Sequence, residues 1–422
     1  MRRKVGYLLS ALALAGGLLL SPVEPAVAAP ETDNCAPPGD WSRPVPWAQQ
    51  ILDPERIWPM ADGTGQRIGV LDSGIDFAQP QLKGHVDPGV NVLGKGDAKG
   101  DDCSGHGTSV AGLMVAQHAD GTGLQGLAPG ATVVPIRVSQ DGGDQNLSGE
   151  GGTAAADIAE GIDWALDHDL RVVNIAEVSY VDDKVLKAAV ANAVKKGVTI
   201  VASVGDRGGE NENLTPYPAG YPGVIGVGAV DENMTRKDDT GHGDFVDLMA
   251  PGTNLVSTQR GSGMNSLDGS GAATAFVSAT VALVLQRHPD ISPEQMTRQL
   301  MATAAPGGGG SGDEYYGYGV VDPYSAVTEQ LAAASPSPLP AMGHDHKSDA
   351  QVAQEKYLSG RSRLAVVLAA VAGGLLALAV VIGAAIPQGR RRRWRVTQAR
   401  RPREYPEDDL PSPPVELFES KD

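Results

Sequence analysis

The chain has 422 residues, 41% of them hydrophobic, with 54 glycines, 30 prolines and a formal charge of −17. This length allows one large domain or two ordinary ones, with a full-sized core and many loops. The balance is acidic and no basic patch lies in the globular part, which excludes a nucleic-acid partner.

Residues 1–29 read as a signal peptide. Arg2, Arg3 and Lys4 precede an apolar run at 7–20, and Ala26-Val27-Ala28 fits a small-residue cleavage site. An uncleaved anchor is the alternative, but the run is short for a span of ~20 residues. Residues 30–60 are rich in Pro and Trp and are expected to form an extended arm on a domain surface.

A short apolar run at 68–71 predicts a buried strand, followed by a polar turn. Residues 105–117 begin small and become apolar, as a helix does, and 131–138 predict a strand. A polar, Gly-rich loop occupies 139–152. Then helix (153–167), strand (170–175), helix (182–196) and strand (198–204) alternate, with a further strand at 224–230. Such alternation with short turns predicts a parallel sheet covered by helices. Residues 267–289 are a small-residue turn running into an apolar helix. Ser292 caps a predicted helix at 293–303, with Pro293 and Glu294 in its first turn. A Pro-Tyr turn and short helix close the domain near 327.

Residues 332–363 read as a linker. His344 and His346 in it belong to a solvated tract rather than a metal site. Residues 364–386 carry no charge over 23 positions, which is long enough to cross a bilayer. Arg390–Arg393 and Arg395 follow, placing the tail at 387–422 in the cytoplasm and the globular part outside it. The two cysteines, Cys35 and Cys103, predict a bridge in an exported chain, two free thiols being the alternative.

Three patterns carry chemistry. Residues 70–76 (VLDSGID) contain Asp72, residues 105–112 (GHGTSVAG) contain His106, and residues 269–278 (GSGAATAFVS) follow. A serine hydroxyl needs an imidazole base, and the imidazole needs a carboxylate to hold its tautomer. Asp, then His, then a nucleophile is the chain order of subtilisin-like triads.

On these motifs the chain resembles the mycosins, membrane-anchored subtilisin-like serine proteases of type VII secretion systems. The stretches WAQQILDP (47–54), GLQGLAP (123–129), YPAGYPGVIGVGAV (217–230) and GYGVVDPYSA (317–326) carry the same resemblance. It implies a subtilisin-type α/β domain over residues 61–331, with a parallel sheet flanked by helices, plus one C-terminal transmembrane helix. It also implies a type VII secretion membrane complex as partner. No cofactor or metal is expected, because no acidic loop has calcium-site spacing.

The sequence departs from that family in the cleft. The position of the nucleophilic serine is Gly271, which has no side chain to attack with. The oxyanion position is Asp206, where the family's Asn donates a hydrogen bond and an ionised Asp repels. Glu177 stands where a substrate side chain would be received. Losses confined to the cleft, with the scaffold motifs kept, imply a pseudo-protease that serves as a structural or peptide-binding subunit. The alternative is an active endopeptidase using the neighbouring Ser270.

Overall fold

The computed structural model describes residues 35–98, 100–140, 154–208, 214–308 and 312–329. In chain order the helices are α1 (Trp47–Leu52), α2 (His106–Val115), α3 (Ala155–Asp167), α4 (Lys184–Lys195), α5 (Ser270–Arg287), α6 (Pro293–Thr303) and α7 (Pro323–Thr328). The longer strands are β1 (Arg67–Asp72), β4 (Thr132–Arg137), β5 (Val172–Ile175), β6 (Thr199–Ser203), β7 (Val224–Val230) and β8 (Leu248–Pro251). Two three-residue strands, β2 (Gly89–Asn91) and β3 (Gly96–Ala98), lie between β1 and β4 in sequence. A separate hairpin pairs β9 (Leu255–Thr258) with β10 (Met264–Leu267).

The eight-stranded sheet runs β3-β2-β4-β1-β5-β6-β7-β8, and every pair in it except β2–β3 is parallel. Both faces are covered, so the strands read as unbroken apolar runs rather than as alternating ones. Ile68, Val70, Val172, Val201 and Ile225 pack with α2 and α5 on one face. Leu71, Val173, Ile175, Ile200 and Ala202 pack with α3 and α4 on the other.

Helix α5 is the centre of the first layer. Residues 270–285 are all buried, which explains why its sequence shows no polar stripe. Its first six residues are Ser, Gly, Ala and Thr, small enough to lie close on the sheet, where the helix packs on β5–β8. The expected cap of α6 is present as a full capping box. Ser292 Oγ accepts from Gln295 N–H, and the Gln295 side chain accepts from Ser292 N–H.

One expectation is corrected. The arm is extended only to Pro46, after which α1 and a 3₁₀ turn (Pro54–Arg56) follow. Ala48 and Leu52, four residues apart, fall on one helical face and are buried with Ile57 in the core, so this part belongs to the domain rather than lying over it.

The order of the sheet sets the position of the site. From β1 the chain passes through α2 to β4 on one side, then through α3 to β5 on the other. Strand order therefore reverses at β1, and ligands in such sheets bind at the carboxyl ends of the strands at that point. Asp72 is the last residue of β1. Among the described residues no helix is long and apolar enough to cross a membrane. The expected signal peptide (1–29) and transmembrane helix (364–386) lie outside the described residues.

Candidate active site

Asp72 is fully buried at the end of β1, and His106 opens α2. His106 Nδ1 lies 2.8 Å from Asp72 Oδ1 and 3.0 Å from Oδ2. An ionised carboxylate can only accept, so Nδ1 carries the proton and Nε2 faces away from Asp72. Among the described residues Nε2 has no hydrogen-bond partner.

The sequence patterns explain how these two side chains meet. Gly107, beside His106, leaves no room for a side chain, since a Cβ there would stand 2.0 Å from Gly74 O. The glycines of the two motifs thus let the backbone of α2 touch the turn after β1. Asp102 holds the start of the helix. Gly105 at the N-cap has no side chain to offer, and Asp102 supplies the carboxylate instead. It accepts from Gly105 N–H (2.9 Å), Thr108 N–H (2.8 Å) and Thr108 Oγ1 (2.5 Å), and from Ser73 Oγ at 2.8 Å. Sequence reasoning missed Asp102. The available signal was an Asp three residues before the helix cap, at a helix N-terminus that favours negative charge.

Gly271 is the second residue of α5, and its position is tight. A Cβ on it would stand 2.8 Å from Ala176 O, where the backbone after β5 packs against the helix. Ser270 does not take its place. Successive helical residues point ~100° apart. The Ser270 hydroxyl is fully buried and lies 2.7 Å from Ser203 Oγ. This turns the fallback nucleophile into the packing between α5 and β6.

Asp206 accepts from the Ser270 N–H with both oxygens, at 3.1 and 3.0 Å. It therefore caps the N-terminus of α5, whose own N-cap, Gly269, offers no side chain. Lys237 Nζ lies 3.9 Å from Asp206 Oδ1, with both side chains partly exposed.

Glu177 corrects another expectation. It is 1% exposed and does not present itself to a ligand. Ser139 Oγ donates to its Oε1 at 2.7 Å. A buried carboxylate needs such partners, and they draw it inward.

The electrostatics follow from these placements. Burial of the His106 ring pulls its pKa down. Asp72, the hydrogen bond to it, Glu177 and Asp102 together outweigh that and raise it from 6.5 to about 9. An imidazole in this setting is charged at neutral pH and has no lone pair to take a proton from a hydroxyl. Cys35 and Cys103 are joined in a disulfide, which ties the arm to the loop before His106. Ala36 N–H donates to Cys103 O at 2.8 Å, and Asp40 pairs with Met264 at the edge of the hairpin. No group of three or more His, Cys, Asp or Glu is arranged to hold a metal among the described residues.

Comparison with known proteins agrees with this architecture. The profile of the Subtilase family matches residues 63–319. Subtilisin DY of Bacillus licheniformis is 32% identical over 286 residues, covering 67% of this chain and 98% of that protein. Subtilisin BL of Lederbergia lenta is 33% identical over 284 residues, covering 67% and 98%. Among solved structures, MycP1 from Mycobacterium smegmatis matches with a TM-score of 0.61 and 27% identity, covering 72% of this chain and 91% of that one. The MycP3 protease from the type VII (ESX-3) secretion system matches with a TM-score of 0.58 and 29% identity, covering 70% and 90%. The expected subtilisin-like α/β fold is thus present, and the chain is a mycosin-like member of the subtilase family.

Proposed function

We propose that this protein is a subtilase that has left proteolysis and serves a type VII secretion complex as a structural or peptide-binding subunit. The observation that carries the reading is the state of the nucleophile position. Gly271 has no side chain, Ala176 O would stand 2.8 Å from a Cβ there, and the adjacent Ser270 hydroxyl is buried against Ser203. Loss of the nucleophile from a Ser–His–Asp site costs ~10⁶ in turnover, about 8 kcal/mol of transition-state stabilisation. The secretion role is supported by the likeness to MycP1 and MycP3, which come from type VII systems. In this reading residues 1–29 direct export, 364–386 anchor the chain, and the subtilase domain stands outside the cytoplasmic membrane, where a disulfide such as Cys35–Cys103 persists.

Fluorophosphonate labelling of the full chain, read by intact mass, tests the loss of chemistry. No adduct on the wild-type protein is the expected result at any pH from 7 to 10. An adduct mapped to Ser270 overturns it and makes the chain a working endopeptidase. Affinity purification from membranes tests the second half: components of the secretion complex should co-purify, and their absence leaves a peptide-binding protein without that partner.

A further inference from the structure

Arg207 follows Asp206 beyond the carboxyl end of β6, and it lines a pocket there. Val204, Leu214 and Phe245 supply apolar lining, and Tyr180 and His242 also face the space. Tyr180 stands on the segment after β5, whose Ala176 O packs against α5. The pocket is thus built from the same two segments that hold Ala176 and Asp206 in the candidate site.

Its frame is fixed by backbone. Gly208 N–H donates to Asp239 O, and Gly241 N–H to Gly205 O, each at 2.7 Å. A Cβ at Gly208 would stand 2.3 Å from Thr240 O, and one at Gly241 would stand 2.2 Å from Val204 O. The loop carrying Arg207 and the loop carrying His242 therefore touch directly.

The guanidinium lacks a partner for its charge. Arg207 Cζ lies over the Tyr180 ring, 5.0 Å from its centroid. Its Nε is buried without a hydrogen-bond partner, and among the described residues no carboxylate pairs with the group. A buried donor left unpaired is costly, and a guanidinium cannot shed its charge to escape that cost. Arg236 nearby is different, because its terminal nitrogens donate to Asp238 O at 3.3 Å and to Thr240 O. Arg236 also lies 3.4 Å from His242 Nδ1. A guanidinium can only donate, so this ring nitrogen accepts and the His242 proton sits on Nε2, a second donor. None of the described residues lining the pocket is acidic.

We infer that this pocket receives an acidic side chain, Glu or Asp, of a bound polypeptide, and that Arg207 is the residue that selects it. The inference rests on the peptide-binding half of the proposed function and names the ligand chemistry. A planar guanidinium meets a carboxylate with two parallel N–H···O bonds, and Nε is one of the donors such a pair uses. The empty space, open mouth included, is about 240 Å³. Pockets for free small molecules run to ~300–1,000 Å³, so a single side chain suits this one better.

The test is a binding comparison on the full chain in detergent. The probes are pools of fluorescein-labelled, C-terminally amidated hexapeptides with Glu, Gln, Lys or Leu fixed at one position and uncharged residues randomised elsewhere. Amidation removes the terminal carboxylate, so the side chain is the acid that is read. By fluorescence anisotropy the Glu pool should bind about tenfold more tightly than the Gln pool. R207Q should level the two. R207E should turn the preference towards the Lys pool, which an arginine with a merely structural role would not do. Equal binding of the Glu and Gln pools by the wild type overturns the inference and requires no variant to fold. A Glu preference that survives R207Q overturns it as well. Binding without charge preference strikes the inference alone, whereas a failure of every pool to bind strikes the peptide-binding reading together with it.

Discussion

Ser270 and Ser203 share a hydrogen bond of 2.7 Å in a fully buried setting, tying the first turn of α5 to the end of β6. Gly205 N–H also donates to Ser203 Oγ at 3.0 Å, so the pair belongs to a small polar network inside the core. S270A is expected to lower stability by about 1 kcal/mol, the usual net worth of one buried hydrogen bond. Chemical denaturation reads this. Peptide hydrolysis, expected at background in the wild type, should stay there. A hydrolysis that vanishes in S270A would show that the hydroxyl is a nucleophile.

The His106 titration gives stability a defined pH dependence. The folded value is about 9 and the ordinary value 6.5, so the folded state binds the proton more tightly. The stabilisation is complete below pH 6.5 and is lost as pH rises through 9. The shift corresponds to about 3 kcal/mol. Denaturant midpoints measured from pH 7 to 10 should fall over that window in the wild type and change far less in H106Q. A wild-type midpoint that does not change between pH 7 and 9 contradicts this.

Much of the fold can be read from residue order because buried parallel strands are written as short apolar runs. The runs at 68–71, 198–204 and 224–230 coincide with β1, β6 and β7. Strands β2 and β3 are three residues each and carry no period, and β8 ends in Pro251, so neither length nor pattern marks them. The site divides in the same way. Asp72 and His106 lie within local motifs. Asp102 acts across one turn, at the edge of what spacing reveals. Ser139 and Glu177 are 38 positions apart, and only the placement of β1 between β4 and β5 brings them together.

Asp247 makes a second, separate pH prediction. Burial raises its carboxyl to about 6, partly offset by the hydrogen bond from Gly226 N–H at 2.8 Å. The folded state again prefers the proton, so this contribution is full below pH 3.8 and lost as pH rises through 6. At pH 7.5 the charged carboxylate is a burden. D247N keeps an oxygen for Gly226 and should raise stability there by about 1–2 kcal/mol. Thermal unfolding at pH 4 and pH 7.5 checks it: the gain should appear only at the higher pH.

The Cys35–Cys103 bridge closes a separation of 68 residues. Chain entropy for such a loop corresponds to about 4 kcal/mol, and native disulfides typically deliver 2–4. The C35S/C103S variant should therefore unfold at markedly lower denaturant, with reductant now having no effect on it. Proteolysis should begin in the arm before residue 46, because its bonds to Cys103, Ser262 and Met264 are its ties to the loop and the hairpin. Equal stability of the two proteins would show that the arm is held by its backbone bonds alone.

Restoring the nucleophile by G271S should not by itself restore a protease. The new Cβ meets Ala176 O at 2.8 Å, so the backbone after β5 has to move by a few tenths of an ångström. Chemistry faces two further obstacles. With His106 at about 9, only about 1% of the ring is a neutral base at pH 7. In the proposed reading Asp206 also occupies the oxyanion position, and loss of the donor there costs ~10²–10³ in rate. Fluorophosphonate labelling of G271S should be slow at pH 7, rise about tenfold per pH unit, and level off near pH 9. Adding D206N should raise the rate at every pH and leave the midpoint in place. Adding E177Q should move the midpoint down and leave the plateau nearly unchanged. The two additions act on different quantities because one changes the charge facing the reacting oxygen and the other changes the charge facing the base. Rapid labelling of G271S at pH 7 with a flat profile would mean that His106 is already a free base and that glycine is the single loss.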